Sequence, residues 1–156
     1  MSTRSKQAFV GFVVVFAAAQ LVRPDRTNPS TDPSRTILAH VGTTSGLAAV
    51  LERSCRDCHS NQTMWPRSAR VAPLSWLMAS AVAKGREAVN FSEWGAYSPD
   101  VQRTLLSTSC QDASSGKMPG FYTFVRPETR LSPKDVETIC TAARQADPQA
   151  EKQRSQ

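Results

Sequence analysis

The sequence has few of the groups that usually build polar active sites or metal centres. Its 156 residues include only two histidines and four cysteines. Apart from Cys55 and Cys58, the thiols stand singly, so no second pair completes the four ligands of a structural zinc site. The carboxylates are scattered along the chain, so no pair of them indicates a site for general acid–base catalysis.

Runs of lysine or arginine are also missing. The chain carries 19 Lys+Arg against 13 Asp+Glu, a net charge of +6. These basic residues are dispersed and are not interleaved with aromatic residues, as they are on nucleic-acid-binding surfaces. We therefore predict no nucleic-acid partner. The charge excess indicates general solubility or a weak preference for an acidic partner or a lipid surface.

One short motif does carry chemistry, and it reads Cys55-Arg-Asp-Cys58-His59. This spacing is that of c-type haem attachment, in which each thiol forms a thioether to the porphyrin and the histidine binds the iron. A thioredoxin-like dithiol expects a βαβ setting, and no β-type alternation flanks the motif. A purely structural cysteine pair would leave His59 unexplained. The motif predicts one covalent haem c, with Cys55 and Cys58 as its attachment points and His59 as an iron ligand.

Hydropathy and proline content divide the chain into four parts. Residues 1–22 combine a basic start with an apolar run, the pattern of an export signal. Its apolar part would measure about 22 Å as a helix, short of the roughly 30 Å bilayer core, so a cleaved signal and a membrane anchor both stay open. Residues 23–35 form a proline-containing polar tether. The haem-binding domain occupies residues 36–147, and residues 148–156 form a polar tail.

Apolar periodicity inside the domain predicts helices. Ser-Pro pairs at Ser98 and Ser132 mark two helix starts, the second with an acidic capping residue. The predicted inward positions are Leu47, Val50 and Leu51; Leu74, Leu77, Met78, Ala81 and Val82; Val101, Leu105 and Leu106; and Val136, Ile139, Cys140 and Ala143. The fold class that follows is a small, all-α, cytochrome-c-like domain around one haem, preceded by an N-terminal hydrophobic helix.

The last two helices carry the remaining thiols and enclose a loop. Cys110 and Cys140 both lie on apolar helical stripes, which favours a disulfide over two free buried thiols in an exported protein. Between them, Met118 stands in the turn Gly116-Lys-Met-Pro-Gly120. Its thioether suits a distal iron ligand, because sulfur favours ferrous iron; the alternative is a loop methionine that fills a gap. The other histidine, His40, is read as a surface residue.

Taken together, these motifs resemble the bacterial haem-binding domain family, c-type cytochromes with an N-terminal export or anchor segment. The resemblance covers roughly residues 36–144, and it implies covalent haem at Cys55 and Cys58 with His59 as axial ligand. It also favours Met118 as the second ligand. One departure is Arg126, where members commonly have histidine, so no further histidine ligand is expected there. The segments that carry the resemblance are Cys55–Pro66, Val71–Trp76, Gly85–Glu87, Asn90–Trp94, Gly116–Pro119 and Leu131–Asp135.

The sequence thus predicts a periplasmic c-type cytochrome that transfers single electrons to and from redox partner proteins. Iron held by both His59 and Met118 has no open position for a substrate. An electron carrier is therefore favoured over an enzyme. If Met118 does not bind iron, a haem-based sensor or a peroxidase-like enzyme with an open sixth position becomes the better interpretation. A third interpretation is a scaffold protein that uses haem only to fold. An uncleaved N-terminal segment would add the membrane as a partner.

Overall fold

The computed structural model describes residues 2–41 and 45–146, and every regular element in these ranges is helical. The predicted all-α class is therefore confirmed for the described residues, whereas the predicted polar tail, 148–156, lies outside them. The α-helices are α1 (Thr3–Ala19), α2 (Ile37–His40), α3 (Ser45–Val50), α4 (Arg56–His59), α5 (Leu74–Ala88), α6 (Pro99–Ser114), α7 (Tyr122–Val125) and α8 (Pro133–Gln145). Short 3₁₀ turns cover Pro33–Arg35, Arg67–Arg70, Phe91–Ala96 and Pro127–Thr129.

The N-terminal apolar run forms α1, which begins after Ser2, whose hydroxyl accepts the Ser5 amide. Its large apolar side chains are exposed, Phe12 to 67% and Val15 to 68%. No helix within residues 2–41 and 45–146 has the length and apolar character needed to cross a membrane.

The helix that carries the attachment motif is interrupted. The sequence predicts one continuous stripe, but α3 passes into a π-helical turn, Leu51–Cys55, before α4 begins. π-helical turns are often found at functional sites because they change the direction of the following side chains. Here the turn ends at Cys55, so the first thiol stands at the junction of two helical segments.

Helix α5 crosses the attachment motif at very short range. A Cβ atom on Gly85 would lie 2.3 Å from the carbonyl oxygen of Cys58, so only glycine fits there. Met78 and Val82 on the same side of α5 are buried. Leu77 was predicted to face inward, but it is 55% exposed, because the buried stripe runs through Ser75 instead.

Helices α6 and α8 pack against each other and are joined by a Cys110–Cys140 disulfide. Helix α8 begins with the predicted capping box, in which the Ser132 hydroxyl accepts the Asp135 amide and the Asp135 carboxylate accepts the Ser132 amide. On α6, Leu106 is buried, but Val101 is 44% exposed rather than inward-facing, because it lies in the first turn, where the helix leaves the core.

The predicted tether, residues 23–35, has no regular structure before the 3₁₀ turn at Pro33–Arg35, and hydrogen bonds join it to the domain. Arg26 donates to the carbonyl of Ala69 at 3.0 Å, and Asn28 donates to that of Thr63 at 2.9 Å. The Ser30 carbonyl accepts from Asn61 at 3.0 Å. These contacts describe a segment that lies along the domain and not a spacer that is free of it.

Candidate haem site

One cavity lies between the attachment motif and the helices that follow it. Both thiols of the motif, the imidazole of His59 and the thioether of Met118 line it. The remaining wall is mostly apolar, contributed by Leu51, Val89, Phe91, Leu105, Pro119, Leu131 and Ile139. Four groups that the sequence assigns to a haem thus line the same space, although they are up to sixty-three positions apart in the chain (118 − 55 = 63).

The cavity encloses about 140 Å³, less than the roughly 300–1,000 Å³ of most ligand sites. A porphyrin therefore fits only where a wall moves outward or where the ring edge reaches through the opening. Met118 is 42% exposed, so its side of the cavity is less covered than the side of His59. On the other side, the Ser54 hydroxyl lines the cavity and is buried without a hydrogen-bond partner among the described residues.

His59 is held in the form that a metal ligand requires. Its Nδ1 lies 3.2 Å from the carbonyl oxygen of Val89. A carbonyl only accepts, so Nδ1 carries the proton and Nε2 keeps its lone pair for a metal. Burial lowers the pKa of His59, which keeps the imidazole neutral at pH 7. The ring of Phe91, 5.7 Å away between centroids, packs beside it.

The two thiols are protonated at neutral pH. Burial raises the pKa of Cys55 to about 12, with a further contribution from Cys58. Burial also raises the pKa of Cys58, to about 11, and the neighbouring Asp57 adds to this shift. A redox-active dithiol needs the opposite, a lowered thiol pKa. The described residues also contain no group of three or more His, Cys, Asp or Glu side chains that could hold a metal ion. The raised pKa values of Cys55 and Cys58 therefore differ from those of a redox-active dithiol.

Met118 differs from the other two described methionines in its surroundings. Met78 is fully buried in a small cluster with Ala69 and Tyr122, as the sequence predicts for a core residue. Met64 is 56% exposed, and its sulfur accepts a hydrogen bond from Arg56 at 2.9 Å. Neither of them lines the cavity, whereas Met118 does.

The carboxylate of Asp57, inside the attachment motif, is the main feature that the sequence did not indicate. It is 9% exposed, and it accepts hydrogen bonds from the Tyr122 hydroxyl at 2.7 Å and from Arg126 at 3.1 Å. Burial and the bond to Asp57 raise the pKa of Tyr122, so it remains a phenol that donates. The one sequence signal for this contact is the position of Asp57, an acidic residue between two cysteines that face the core.

The cavity wall does not include His40, Arg86 or Lys117. His40 is exposed, and its Nδ1 lies 3.0 Å from the carbonyl oxygen of Thr36, so it stays a surface residue that does not line the cavity. Arg86 donates to the Ser60 carbonyl at 2.8 Å, and Lys117 pairs with Asp112 at 3.0 Å. These cations therefore have protein partners and do not line the cavity.

The fold and the site together define an all-helical domain with a c-type attachment motif beside a mostly apolar cavity. The family model of the haem-binding domain matches residues 14–145, and the chain belongs to this family. The resemblance seen in the sequence is thereby confirmed, and the protein binds haem and its iron. Searches of curated proteins and of solved structures returned no match.

Proposed function

We propose that this protein is a c-type cytochrome that carries one covalent haem and transfers single electrons between partner proteins. The observation that carries the proposal is that Cys55, Cys58, His59 and Met118 line the same cavity. In this proposal the two thiols would form the thioethers, and Nε2 of His59 and the sulfur of Met118 would bind the iron. When bound, the haem supplies a one-electron couple, and methionine ligation raises its potential relative to two histidines.

The protein side of this function is to hold the ligands still. The hydrogen bond to Val89 fixes the His59 ring, and the contact between Gly85 and Cys58 fixes the turn that bears it. Apolar side chains such as Leu51 and Ile139 exclude water from the cavity. A ligand set that stays in place in both oxidation states keeps the reorganisation that accompanies electron transfer small.

We further propose that the protein works on the periplasmic side of the inner membrane, either anchored by α1 or released after cleavage. The basic and apolar start of the chain is typical of an exported protein. The Cys110–Cys140 disulfide supports this location, because such bonds persist in oxidising compartments. The partners are redox proteins that meet the haem edge, and the net charge of +6 favours acidic ones.

The test is the absorption spectrum of the protein produced with a c-type maturation system. A covalent haem c with the weak red band of methionine-ligated ferric iron is expected, and the band should vanish in Met118→Ala. Met64→Ala is the matched control, because Met64 lies outside the cavity, and it should keep the band. A protein without haem would refute the proposal, and an unchanged spectrum in Met118→Ala would remove Met118 from the ligand set.

A second candidate function is a haem-based sensor or a peroxidase-like enzyme with an open sixth position. The observation that favours it is the 42% exposure of Met118, which leaves this ligand easier to displace than His59. Rapid binding of carbon monoxide to the reduced wild-type protein would support this function over electron transfer. Slow binding that becomes rapid in Met118→Ala would support the cytochrome.

A further inference from the structure

One carboxylate joins the attachment motif to the chain that follows Met118. Oδ2 of Asp57 accepts the Tyr122 hydroxyl at 2.7 Å and Nη1 of Arg126 at 3.1 Å, while Oδ1 accepts the Met64 amide at 2.9 Å. The two side-chain contacts span 65 and 69 positions of sequence. A buried carboxylate is costly unless it is paired and hydrogen-bonded, so this arrangement holds both segments firmly.

Tyr122 stands directly after the loop that carries Met118. Between them, Gly120 has a φ of +56°, a left-handed turn that favours glycine, and its carbonyl accepts the Thr123 amide at 3.3 Å. Helix α7 starts at Tyr122, which is 3% exposed and lines the cavity. The bond from Tyr122 to Asp57 therefore fixes the end of the loop relative to the attachment motif.

The start of the same loop is fixed by helix α6. The Met118 amide donates to the carbonyl of Asp112 at 3.2 Å, and Lys117 pairs with the Asp112 carboxylate at 3.0 Å. The Met118 side chain itself is 42% exposed. Because nearly half of Met118 is exposed, the two fixed ends of the loop help to set its position.

We infer that Tyr122 and Arg126, acting through Asp57, are positioning residues that hold the Met118 sulfur at the distal side of the haem. This inference rests on the proposed ligation of the iron by Met118. Arg126 neutralises the buried carboxylate, and the Tyr122 hydroxyl sets how far α7 stands from α4. Because Asp57 lies between the two thiols, the attachment motif itself determines where the opposite ligand is held.

The test removes the hydroxyl of Tyr122 in the haem-loaded protein. Tyr122→Phe should keep the covalent haem but lose part of the red methionine band, and the reduced form should bind carbon monoxide about tenfold faster, since a hydrogen bond to a charged group is lost. Hydrogen exchange of the amides within 117–122, where Pro119 has none, should also become faster. Arg126→Gln should change all three measurements in the same direction, and it provides a second variant if Tyr122→Phe folds poorly.

Tyr97→Phe is the matched control. The Tyr97 hydroxyl accepts the Asn90 amide at 3.0 Å, and this tyrosine does not line the cavity. This control loses a hydroxyl without touching Asp57, so it should keep the band, the carbon monoxide rate and the exchange of amides 117–122. Equal changes in both tyrosine variants would assign the effect to general destabilisation and overturn the inference.

Two further outcomes separate the inference from the proposed function. A wild-type spectrum and carbon monoxide rate in Tyr122→Phe, together with loss of the band in Met118→Ala, would overturn the positioning role and leave the ligand set intact. A band that survives in Met118→Ala would overturn the ligand set, and the positioning role would fall with it.

Discussion

The attachment motif and the Met118 loop line the same cavity, but they are held in different ways. The His59 ring is held by a hydrogen bond to the carbonyl of Val89, and the carbonyl of Cys58 lies close against Gly85 of α5. Met118, in contrast, is 42% exposed and depends on contacts at the two ends of its loop. One side of the site is therefore fixed by close packing and the other by a few hydrogen bonds between distant segments.

This difference has a functional consequence. A ligand fixed by packing stays in place in both oxidation states, whereas a ligand on a restrained loop can be released when one restraint is lost. Under the proposed ligation by Met118, such a release would change the chain from a closed electron carrier to a haem protein with an open position. The following predictions test the two sides separately.

The largest effect is expected on the attachment side. Replacing both Cys55 and Cys58 by serine should abolish covalent haem, because no thioether can form. The measurement is haem staining after denaturing electrophoresis. The control is the double variant Cys110→Ser/Cys140→Ser. It removes two cysteines outside the motif and should keep the stain. Covalent haem in the Cys55/Cys58 variant would contradict the assigned attachment.

Loss of the disulfide should have the next largest effect, and it should weaken the loop side. The bond closes a sequence separation of 30 residues around Met118. Its removal should lower the free energy of unfolding by roughly 3 to 4 kcal/mol in the chain-entropy model. Urea denaturation of the Cys110→Ser/Cys140→Ser variant measures this loss.

The same variant also tests how the Met118 loop is restrained. Covalent haem should remain, while carbon monoxide should bind faster to the reduced protein, because one end of the Met118 loop loses a restraint. A variant that binds carbon monoxide at the wild-type rate would show that α6 and α8 hold the loop without the disulfide.

The smallest of these effects is expected from Gly85→Ala on the packed side. The new Cβ would lie 2.3 Å from the Cys58 carbonyl oxygen, and overpacking of this kind costs about 1–3 kcal/mol. The free energy of unfolding from urea denaturation is the measurement. Gly46→Ala is the matched control, since it also lies in a helix and its Cβ would lie at an ordinary 3.5 Å from Thr138. A Gly85→Ala variant as stable as the control would show that the crossing of α5 can relax.

Several parts of the fold and of the site could be predicted from local sequence alone. The helix starts at Ser98 and Ser132 follow from capping, which involves residues only three positions apart. The pairing of Cys110 with Cys140 also follows, because the remaining thiols of the chain belong to the attachment motif. The family assignment rests on short motifs in a fixed order, and it holds over residues 14–145.

Other features depended on contacts that no local pattern contains. Leu77 and Val101 are apolar and correctly spaced, yet each is exposed, because neighbouring elements do not cover the side of the helix on which they lie. The π-helical turn that ends at Cys55 interrupts a stripe that is continuous in sequence. The segment 23–35 is hydrogen-bonded to the domain through Arg26 and Asn28, although its composition is that of a linker.

The all-helical class, the cysteines and histidine of the C-x-x-C-H motif and the membership of the haem-binding domain family can all be predicted from the sequence alone. These features depend on residue type and short spacing, and both can be read along one chain. Only the tertiary structure decided that Asp57 holds Tyr122 and Arg126, and that Met118 lines the cavity with His59. Packing brings together groups more than fifty positions apart, and their hydrogen bonds leave no periodic trace in the sequence.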